Sequence, residues 1–479
     1  MKVLLLAPPW GEIYGRYRSV TRSLNLNPPL NLAYLAATLA RAGHEPAIVD
    51  LEFLPRRRGV VTDLLKRHAP GLVAITVTSP MLPVARRIAQ TVGESGIPVV
   101  IGGPHVTLVG GEALREFPEA ACAFAGEGEE SFPAYVTSFE RGEAATDIPG
   151  LLRRDAPERF DIPLVADLDA LPEPFYPGVD FGAYPWSVKG RRKVPARTLV
   201  TSRGCPYRCV FCSVENLTGR KVRYRNVGLV VEEMERAVRE TPARHFVFVD
   251  DFLTLRRERI LDLSERLADK NLPITWEGDT RADRVDGELL RAMARAGCTR
   301  VNFGIESAED RVLKTLKKKL DLSMVVESMR LAKEAGMDTR GTAMIGNPGD
   351  TRETIRKTVS FLRKLPYLDQ PYLSIAQPYP GTELRRMVLA NETNLKFIGG
   401  GLDDMRRYGG SVLRVGDIEP DEMVRIQRRA ILGFYLTPRR LVYNLLRADL
   451  RDTLGMALGF LRAVALPGRA TPEQPAFAS

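Results

Sequence analysis

Short apolar runs alternate with amphipathic segments over residues 1–138 of the chain. Runs typical of buried strands lie at residues 3–7, 46–50, 72–76, 97–101 and 122–125. Helical spacing of apolar residues follows at residues 30–42, 81–93, 111–117 and 129–141. Continuous apolar strands that alternate with helices predict a parallel sheet covered on both faces. This region is therefore predicted to be an α/β, doubly wound, Rossmann-like domain.

A second alternating series begins near residue 197. Its apolar runs lie at residues 197–201, 245–249, 274–277, 301–304, 338–344 and 372–376. Helical stretches intervene, for example at residues 229–239, 258–270 and 351–365. Because eight βα units are needed to close a barrel, six units predict an open, partial TIM-like barrel.

Two segments lie outside these series. Residues 139–196 lose the alternation and contain the Pro-rich, acidic stretch 167–174, which predicts an ordered connector. Residues 419–464 have helical spacing with a break at Pro438. The predicted division is a ligand-binding domain at 1–138, a connector at 139–196, a partial barrel at 197–400 and a helical region at 401–479. Substrate contacts are expected in this last region.

Composition and charge narrow the class of protein. Hydrophobic residues make up 44% and charged residues 27% of the 479 residues, as in ordinary globular proteins. No window approaches the roughly 20 apolar residues of a membrane span, and Pro8-Pro9 end the first apolar run without a signal-peptide cleavage site. A cytoplasmic protein is therefore expected.

The net charge of +10 is concentrated between Arg425 and Arg469. This stretch has no nucleic-acid-binding motif, so nucleic acid is a disfavoured partner. A solvated helical face and a peripheral contact with an anionic membrane surface both remain open as explanations.

Three of the five cysteines, Cys205, Cys209 and Cys212, lie close together directly after the first strand of the second series. A structural zinc site needs four ligands, and no fourth Cys or His lies nearby. Three thiolates instead leave one iron of a [4Fe–4S] cluster open to a small ligand. The isolated Cys122 and Cys298 stand in apolar surroundings and are expected to be core residues.

The segment Gly204-Cys205-Pro206-Tyr207-Arg208-Cys209-Val210-Phe211-Cys212 resembles the signature loop of the radical S-adenosylmethionine (SAM) superfamily. The resemblance implies that the open iron chelates the amino and carboxylate groups of SAM. It also implies reductive cleavage of SAM to a 5′-deoxyadenosyl radical, which abstracts hydrogen from a substrate. A flavodoxin or ferredoxin is the electron donor that the family implies.

Further contacts to SAM are implied at the carboxyl ends of the barrel strands, where barrels hold their chemistry. Phe211 is implied to contact adenine, Asp250 and Asp251 the methionine amino group, and Arg281 the carboxylate. Glu306 is implied to contact the ribose, and the backbone of Ile345 and Gly346 to border adenine. For each polar residue in this set, a surface ion pair or a helix cap remains the alternative.

The strand ends of the first series carry small and hydroxyl-bearing residues together with a few polar ones. They are Pro8, Thr76, Thr78, Ser79, Gly102, Gly103, Pro104, His105, Gly126 and Glu127. Ligands of doubly wound sheets bind at such ends, although ordinary strand-to-helix turns would explain the glycines equally well.

Together with the cysteine loop, these strand ends resemble the cobalamin-binding domain of class B radical SAM methylases. The Asp-x-His-x-x-Gly motif of many cobalamin domains is missing, because position 103 is Gly and position 108 is Leu. The resemblance therefore implies cobalamin bound without a protein histidine on cobalt.

The function implied is methylation of an unactivated carbon of a small-molecule or lipid-like substrate through methylcobalamin. Two alternatives remain open. One is oxidative cyclisation or rearrangement of a tetrapyrrole, lipid or natural product with the same cofactors. The other is a cobalamin-sensing regulatory protein.

Overall fold

The first sheet has six strands in the order β2-β1-β3-β4-β5-β6, of which only β6 is antiparallel to its neighbour. The strands are β1 Lys2–Ala7, β2 Glu45–Asp50, β3 Leu72–Thr76, β4 Val99–Gly102, β5 Ala120–Phe124 and β6 Leu151–Leu152. The helices are α1 Trp10–Tyr14, α2 Leu30–Arg41, α3 Val60–His68, α4 Leu82–Glu94, α5 Pro104–Val109, α6 Glu112–Glu116 and α7 Ser131–Arg141.

Both faces of this sheet are buried. On β1, Leu4 and Leu6 join the apolar cluster on one face, while Val3 and Leu5 join the cluster on the other. Helices therefore cover both sides, and the predicted doubly wound architecture is confirmed. The strand order reverses between β1 and β3, which is the switch point at which such sheets bind ligands.

The second sheet has seven strands in the order β15-β14-β13-β12-β11-β8-β7. Six of them are parallel, and β7 lies antiparallel at one edge. The strands of this part of the chain are β7 Pro185–Val188, β8 Arg192–Leu199, β9 Ser202–Arg203, β10 Arg223–Tyr224, β11 His245–Phe248, β12 Thr275–Thr280, β13 Cys298–Glu306, β14 Asp338–Ile345 and β15 Gln370–Ile375. The sheet does not close on itself, so the predicted partial barrel is confirmed.

Helices pack on the outer face of the partial barrel. They are α8 Val227–Glu240, α9 Arg257–Lys270, α10 Gly287–Arg295, α11 Asp310–Thr315, α12 Leu322–Glu334, α13 Arg352–Lys364 and α14 Glu383–Leu389. Phe246, Trp276 and Phe303 are fully buried in this outer core. The side chains that alternate with them along the strands therefore point into the lumen of the barrel.

The computed structural model describes residues 1–14, 26–145, 147–154, 162–188, 192–399, 401–438 and 440. The segment predicted as a connector supplies an edge strand to each sheet, β6 to the first and β7 to the second. After the barrel come a hairpin of β16 Leu395–Phe397 and β17 Leu413–Val415, and then α15 Pro420–Tyr435. The helices expected in residues 441–479 lie outside the described residues. No helix of the described ranges is long and apolar enough to cross a membrane.

Candidate active site between the two sheets

A cavity of about 370 Å³ lies between the carboxyl ends of the two sheets. The first sheet contributes six of the residues predicted there: Thr76, Gly102, Gly103, Pro104, Gly126 and Glu127. The barrel contributes Val200, Ser202, Arg203, Val249 and Asp251. Apolar side chains such as Leu30, Leu35, Phe124 and Phe132 form much of the remaining wall. The cavity is therefore a mainly apolar slot with charged groups on both sides, Glu127 and Glu129 from the first domain and Arg203 and Asp251 from the barrel.

Gly103 keeps the first-sheet wall of the slot free of side-chain bulk. Its φ is +102°, and a Cβ at this position would lie 2.9 Å from the Thr76 hydroxyl and 3.0 Å from the Val77 carbonyl oxygen. Only glycine fits here without displacing the end of β3, so the cavity wall at this point consists of backbone alone. Among the described residues that line the cavity there is no His, Cys or Met. This wall suits cobalamin held by shape, without a protein histidine on cobalt.

Four other predicted residues, Pro8, Thr78, Ser79 and His105, do not line the cavity. His105 is fully buried in the first domain. Its Nδ1 lies 3.0 Å from the Ser79 hydroxyl, and its Nε2 lies 2.6 Å from a carboxylate oxygen of Glu116 on α6. Both ring nitrogens are engaged inside the domain, because α5 turns the side chain away from the cavity.

A buried ion-pair network joins the cavity wall to the base of the cysteine loop. Glu127 accepts two hydrogen bonds from the Arg223 guanidinium, at 2.6 and 2.7 Å. Glu129 accepts one from Arg203, at 2.7 Å, and Arg203 also lies 3.4 Å from Glu127. Sequence reasoning placed Glu127 on the cofactor and missed the two arginines, since the partners lie far apart along the chain. We call this network the interdomain clamp.

The clamp grips the two ends of the loop that carries the cysteines. Arg203 and Arg223 face each other on the antiparallel pair β9 and β10, which encloses residues 204–222. Within that loop, Gly204 has a φ of +103°, and a Cβ there would lie 2.7 Å from the Lys221 carbonyl oxygen. Glycine is therefore required immediately before Cys205. The Cys205 N–H then donates to the Gly219 carbonyl, at 3.1 Å.

The three thiols of the loop lie near one another. Within the described ranges, no set of three His, Cys, Asp or Glu side chains forms a ready-made metal site. Burial is the main cause that raises the pKa of the Cys205 thiol, and the charge on Cys209 adds to this rise. Burial also raises the pKa of Cys209, and Lys318 and Arg281 oppose this rise. Two cationic side chains, Lys318 and Arg281, are therefore close enough to favour the thiolate form of Cys209.

The two predicted aspartates after β11 differ in what they contact. Asp250 is buried and accepts hydrogen bonds from the Thr201 N–H, the Thr201 hydroxyl and the Ser202 hydroxyl, at 2.9, 2.7 and 2.6 Å. Asp251 is exposed, lines the cavity, and accepts from the Gly204 N–H at 2.8 Å and the Thr218 hydroxyl at 2.6 Å. Asp250 therefore fixes the end of β8, whereas Asp251 connects the cavity to the cysteine loop.

Arg281 lies on the other side of the cysteine loop, immediately after β12. Its guanidinium lies 4.2 Å from the centre of the Tyr207 ring and pairs with Asp283 at 2.8 Å. Cation–π contact with Tyr207 therefore positions the charge beside the loop.

Glu306 ends β13 in a left-handed conformation, with a φ of +62°. Its carboxylate pairs at 2.6 Å with Lys318, and both side chains are less than a tenth exposed. Sequence reasoning missed Lys318, since it lies in the run Lys317-Lys318-Lys319 that is typical of a solvated surface. A non-glycine residue in this conformation is uncommon, and such residues are enriched at functional sites.

The last three predicted positions are apolar or glycine. Phe211 packs against the barrel core beside Val210 and Met344. Ile345 is fully buried, and Gly346 follows it with a φ of +82°. The structure thus brings the residues predicted for SAM to one end of the barrel, around the cysteine loop.

Family models match two parts of the chain. The Radical SAM superfamily model matches residues 199–362, and the B12 binding domain model matches residues 20–136. The cysteine loop and the first-sheet wall of the cavity lie within these two ranges.

Relatives match over most of the chain. It is 32% identical over 456 residues to a protein of Pyrococcus horikoshii named uncharacterized methyltransferase PH0819, covering 93% of this chain and 95% of that protein. It is 28% identical over 380 residues to the anaerobic magnesium-protoporphyrin IX monomethyl ester cyclase of Cereibacter sphaeroides. This match covers 74% of this chain and 60% of the cyclase. The fold resembles that of the radical SAM methyltransferase TsrM from Kitasatospora setae, solved with cobalamin and a [4Fe–4S] cluster. That match has a TM-score of 0.70 and 20% identity, and covers 91% of this chain and 89% of TsrM.

Proposed function

This chain belongs to the radical SAM superfamily and carries a B12-binding domain, and we propose that it transfers a methyl group to an unactivated carbon of a small-molecule substrate. Its cofactors are a [4Fe–4S] cluster, SAM and cobalamin. The observation that carries the proposal is the role of Asp251, which lines the cavity and also holds Gly204 next to Cys205. The two cofactor sites therefore share one wall.

When bound, the cluster with SAM supplies a carbon-centred radical that removes hydrogen, and cobalamin supplies the methyl group. A saturated carbon offers no lone pair for polar methyl transfer, which is why such chemistry is left to cofactors. The protein must orient the substrate and keep other hydrogen donors away. The apolar wall formed by Leu30, Leu35, Val200 and Val249 suits that task.

We assign the roles of the individual residues as follows. The three thiolates of Cys205, Cys209 and Cys212 hold the cluster. Around SAM, Asp251 serves the amino group, Arg281 the carboxylate and Glu306 the ribose, with the adenine bordered by Phe211, Ile345 and Gly346. Cobalamin rests on the first-sheet wall, at Thr76, Gly102, Gly103, Pro104 and Gly126. Glu127 acts in the interdomain clamp rather than on the cofactor.

Methylation is favoured over the two alternatives. PH0819, named a methyltransferase, matches over 95% of its length, whereas the cyclase of C. sphaeroides matches over 60%. A cobalamin-sensing regulator has no need of a cysteine loop flanked by Arg281 and Lys318. A flavodoxin or ferredoxin in the cytoplasm is the proposed electron donor, and lipid-like compounds are among the proposed substrates.

The test is anaerobic reconstitution with iron, sulfide and cobalamin, followed by dithionite and SAM. We expect 5′-deoxyadenosine from the wild type and none from the triple variant Cys205→Ala/Cys209→Ala/Cys212→Ala. The triple variant should still bind cobalamin stoichiometrically, because its cavity wall is intact. The double variant Cys122→Ala/Cys298→Ala is the matched control, since both thiols are buried in the two cores, and it should keep its cluster. Deoxyadenosine from the triple variant would overturn the proposal.

A further inference from the structure

A row of polar side chains crosses the lumen of the partial barrel, one on each of three neighbouring strands. Asp279 of β12 pairs in register with Asn302 of β13, and Thr342 of β14 lies on the same side. Their strand neighbours Gly278 and Phe303 are buried on the outer side, whereas Asp279 is exposed and the other two are partly exposed. We call these three residues the lumen row.

The lumen row begins beside the cavity between the sheets. Phe248 of β11 pairs with Gly278 of β12, so the residues that follow them, Val249 and Asp279, are neighbours across the strands. Val249 lines the cavity and is 41% exposed. Two residues beyond Asp279 is Arg281, which we assign to SAM. The row therefore lies next to both cofactor sites.

The hydrogen bonds of the lumen row all run in one direction. The Thr342 hydroxyl donates to Asn302 Oδ1 at 3.1 Å, and Asn302 Nδ2 donates to Asp279 Oδ1 at 3.0 Å. Among the residues that the structure describes, no group donates to the second carboxylate oxygen of Asp279. The chain thus ends in an acceptor that is open to the lumen, and its natural complement is a hydrogen-bond donor.

Asp279 is exposed at the bottom of a recess rather than on a convex surface. The protein around it raises the pKa of its carboxyl group through desolvation, although the side chain is open to solvent. The Asn302 hydrogen bond and the nearby charge of Arg340 oppose this rise, and the charge of Glu277 adds to it. A carboxylate in such a recess forms stronger hydrogen bonds than one on an open surface.

The charges beneath the lumen row are already paired. Glu277, two residues before Asp279, accepts from Arg300 at 2.8 Å and from the Trp186 indole at 2.8 Å, and lies 3.3 Å from Arg340. Arg340 also lies 4.5 Å from the centre of the Tyr372 ring. These charged groups are engaged with one another, whereas the second carboxylate oxygen of Asp279 has no donor among the described residues.

We propose that the lumen row recognises a hydroxyl or ammonium group of the substrate, which donates a hydrogen bond to Asp279. This inference rests on the proposed function and adds the class of substrate to it. The donor group lies against Asp279, and the apolar part of the substrate extends past Val249 toward the cavity. A substrate whose polar group is a carboxylate is excluded, because it would face the Asp279 charge without a donor between them.

Binding is tested first, without turnover. Saturation-transfer NMR is recorded on the reconstituted protein with cobalamin, SAM and an oxidised cluster, using 1-butanol, 1-aminobutane and butanoate as probes. We expect signals from the alcohol or the amine that are about tenfold above those of butanoate, as one charged hydrogen bond would give. Asp279→Ala should remove the difference, and Asp279→Asn should keep binding of the alcohol better than that of the amine. Asp269→Ala, on the exposed side of α9, is the control and should match the wild type.

Hydrogen abstraction is tested second, with the same three probes fully deuterated. Under reducing conditions, deuterium in 5′-deoxyadenosine should come from the alcohol or the amine, and Asp279→Ala should lower it about tenfold. Equal binding of all three probes, or binding preferences that survive in Asp279→Ala, would overturn the inference. Absence of deoxyadenosine would contradict the proposed function instead, while the NMR result would still decide the lumen row.

Discussion

The two sheets present their carboxyl ends to the same cavity, yet they build those ends from different materials. The first-sheet edge consists mostly of backbone and small residues, as at Gly102 and Gly103, and its histidine, His105, points into the core. Its two acidic residues, Glu127 and Glu129, are paired with arginines of the barrel. The barrel edge consists of charged side chains held in pairs, such as Glu306 with Lys318. A large preformed cofactor can be held by shape alone, whereas a cluster and a sulfonium ligand require fixed charges. This difference predicts different responses to substitution.

The largest expected effect is on the barrel edge, where one member of a buried pair is removed. Lys318→Met leaves Glu306 buried without its cation, and we expect the free energy of unfolding to fall by about 4 kcal/mol. Urea unfolding of the reconstituted protein measures this loss. Adding Glu306→Gln should restore most of it.

The same lysine run supplies the control for Lys318→Met. Lys317 pairs with Glu383, but its side chain is 50% exposed, so Lys317→Met should change the free energy of unfolding by less than about 1 kcal/mol. If both variants lost the same free energy of unfolding, burial of the Glu306–Lys318 pair would not explain the loss.

At the first-sheet edge, we expect cobalamin affinity to be sensitive to added side-chain volume rather than to a change of charge. Gly103→Ala places a methyl group 2.9 Å from the Thr76 hydroxyl, at a backbone conformation that favours glycine. We expect cobalamin affinity to fall about 100-fold, which is about 2.7 kcal/mol, while cluster content is unchanged. Equilibrium dialysis with hydroxocobalamin measures the affinity. Gly111→Ala is the control, because a Cβ there has no atom within 4 Å.

Much of this contrast could be predicted from the sequence, because apolar periodicity and the cysteine spacing are local signals. The strands β12 and β13 were expected at 274–277 and 301–304, yet they are longer, Thr275–Thr280 and Cys298–Glu306. Polar lumen residues such as Asp279 and Arg300 interrupt the apolar run that marks a strand.

Pairings across the two domains carry no local signal. In the sequence, Glu127 lies in a glycine-rich stretch that predicts a ligand-binding loop. Only the folded structure shows that Arg223 lies beside it. The sequence places His105 at a strand end, where a ligand would bind. The structure shows instead that α5 directs its side chain to Glu116 in the core. Asp250 and Asp251 are equivalent in sequence, since only the course of β8 gives Asp250 its three donors.

Substitution in the interdomain clamp shows whether Glu127 stabilises the contact between the two domains or binds cobalamin. If Glu127 serves the clamp, Glu127→Gln should lower the free energy of unfolding by about 2 kcal/mol, equally with and without cobalamin. If Glu127 instead contacts cobalamin, the apoprotein should be unaffected and only the cofactor-dependent part of the stability should fall. Thermal unfolding at matched protein concentration, with and without hydroxocobalamin, separates the two results.

A further prediction concerns the pH dependence of stability and lies in the turn after β14. Burial raises the pKa of Asp350 to about 6, although Thr354 and the Asn347 N–H donate hydrogen bonds to it. The folded protein then holds this proton more tightly than the unfolded chain, so stability falls as the pH rises from about 4 to 6.

Asp350→Asn should remove this contribution. The free energy of unfolding of the variant should depend less on pH in that window than that of the wild type, as urea titrations at several pH values would show. Asp269→Asn, on the exposed side of α9, should leave the pH dependence unchanged. A slope that is the same in all three proteins would contradict this account.

The short ladder between β9 and β10 also has a consequence for the assembly of the cluster. Residues 204–222 leave and re-enter the barrel at one point, where Arg203 and Arg223 are held by Glu127. The entropy of closing this loop, which grows with the logarithm of its length, is therefore already lost when the protein folds. Because the fold itself fixes both ends of the loop, the binding of iron and sulfide does not have to supply this entropy.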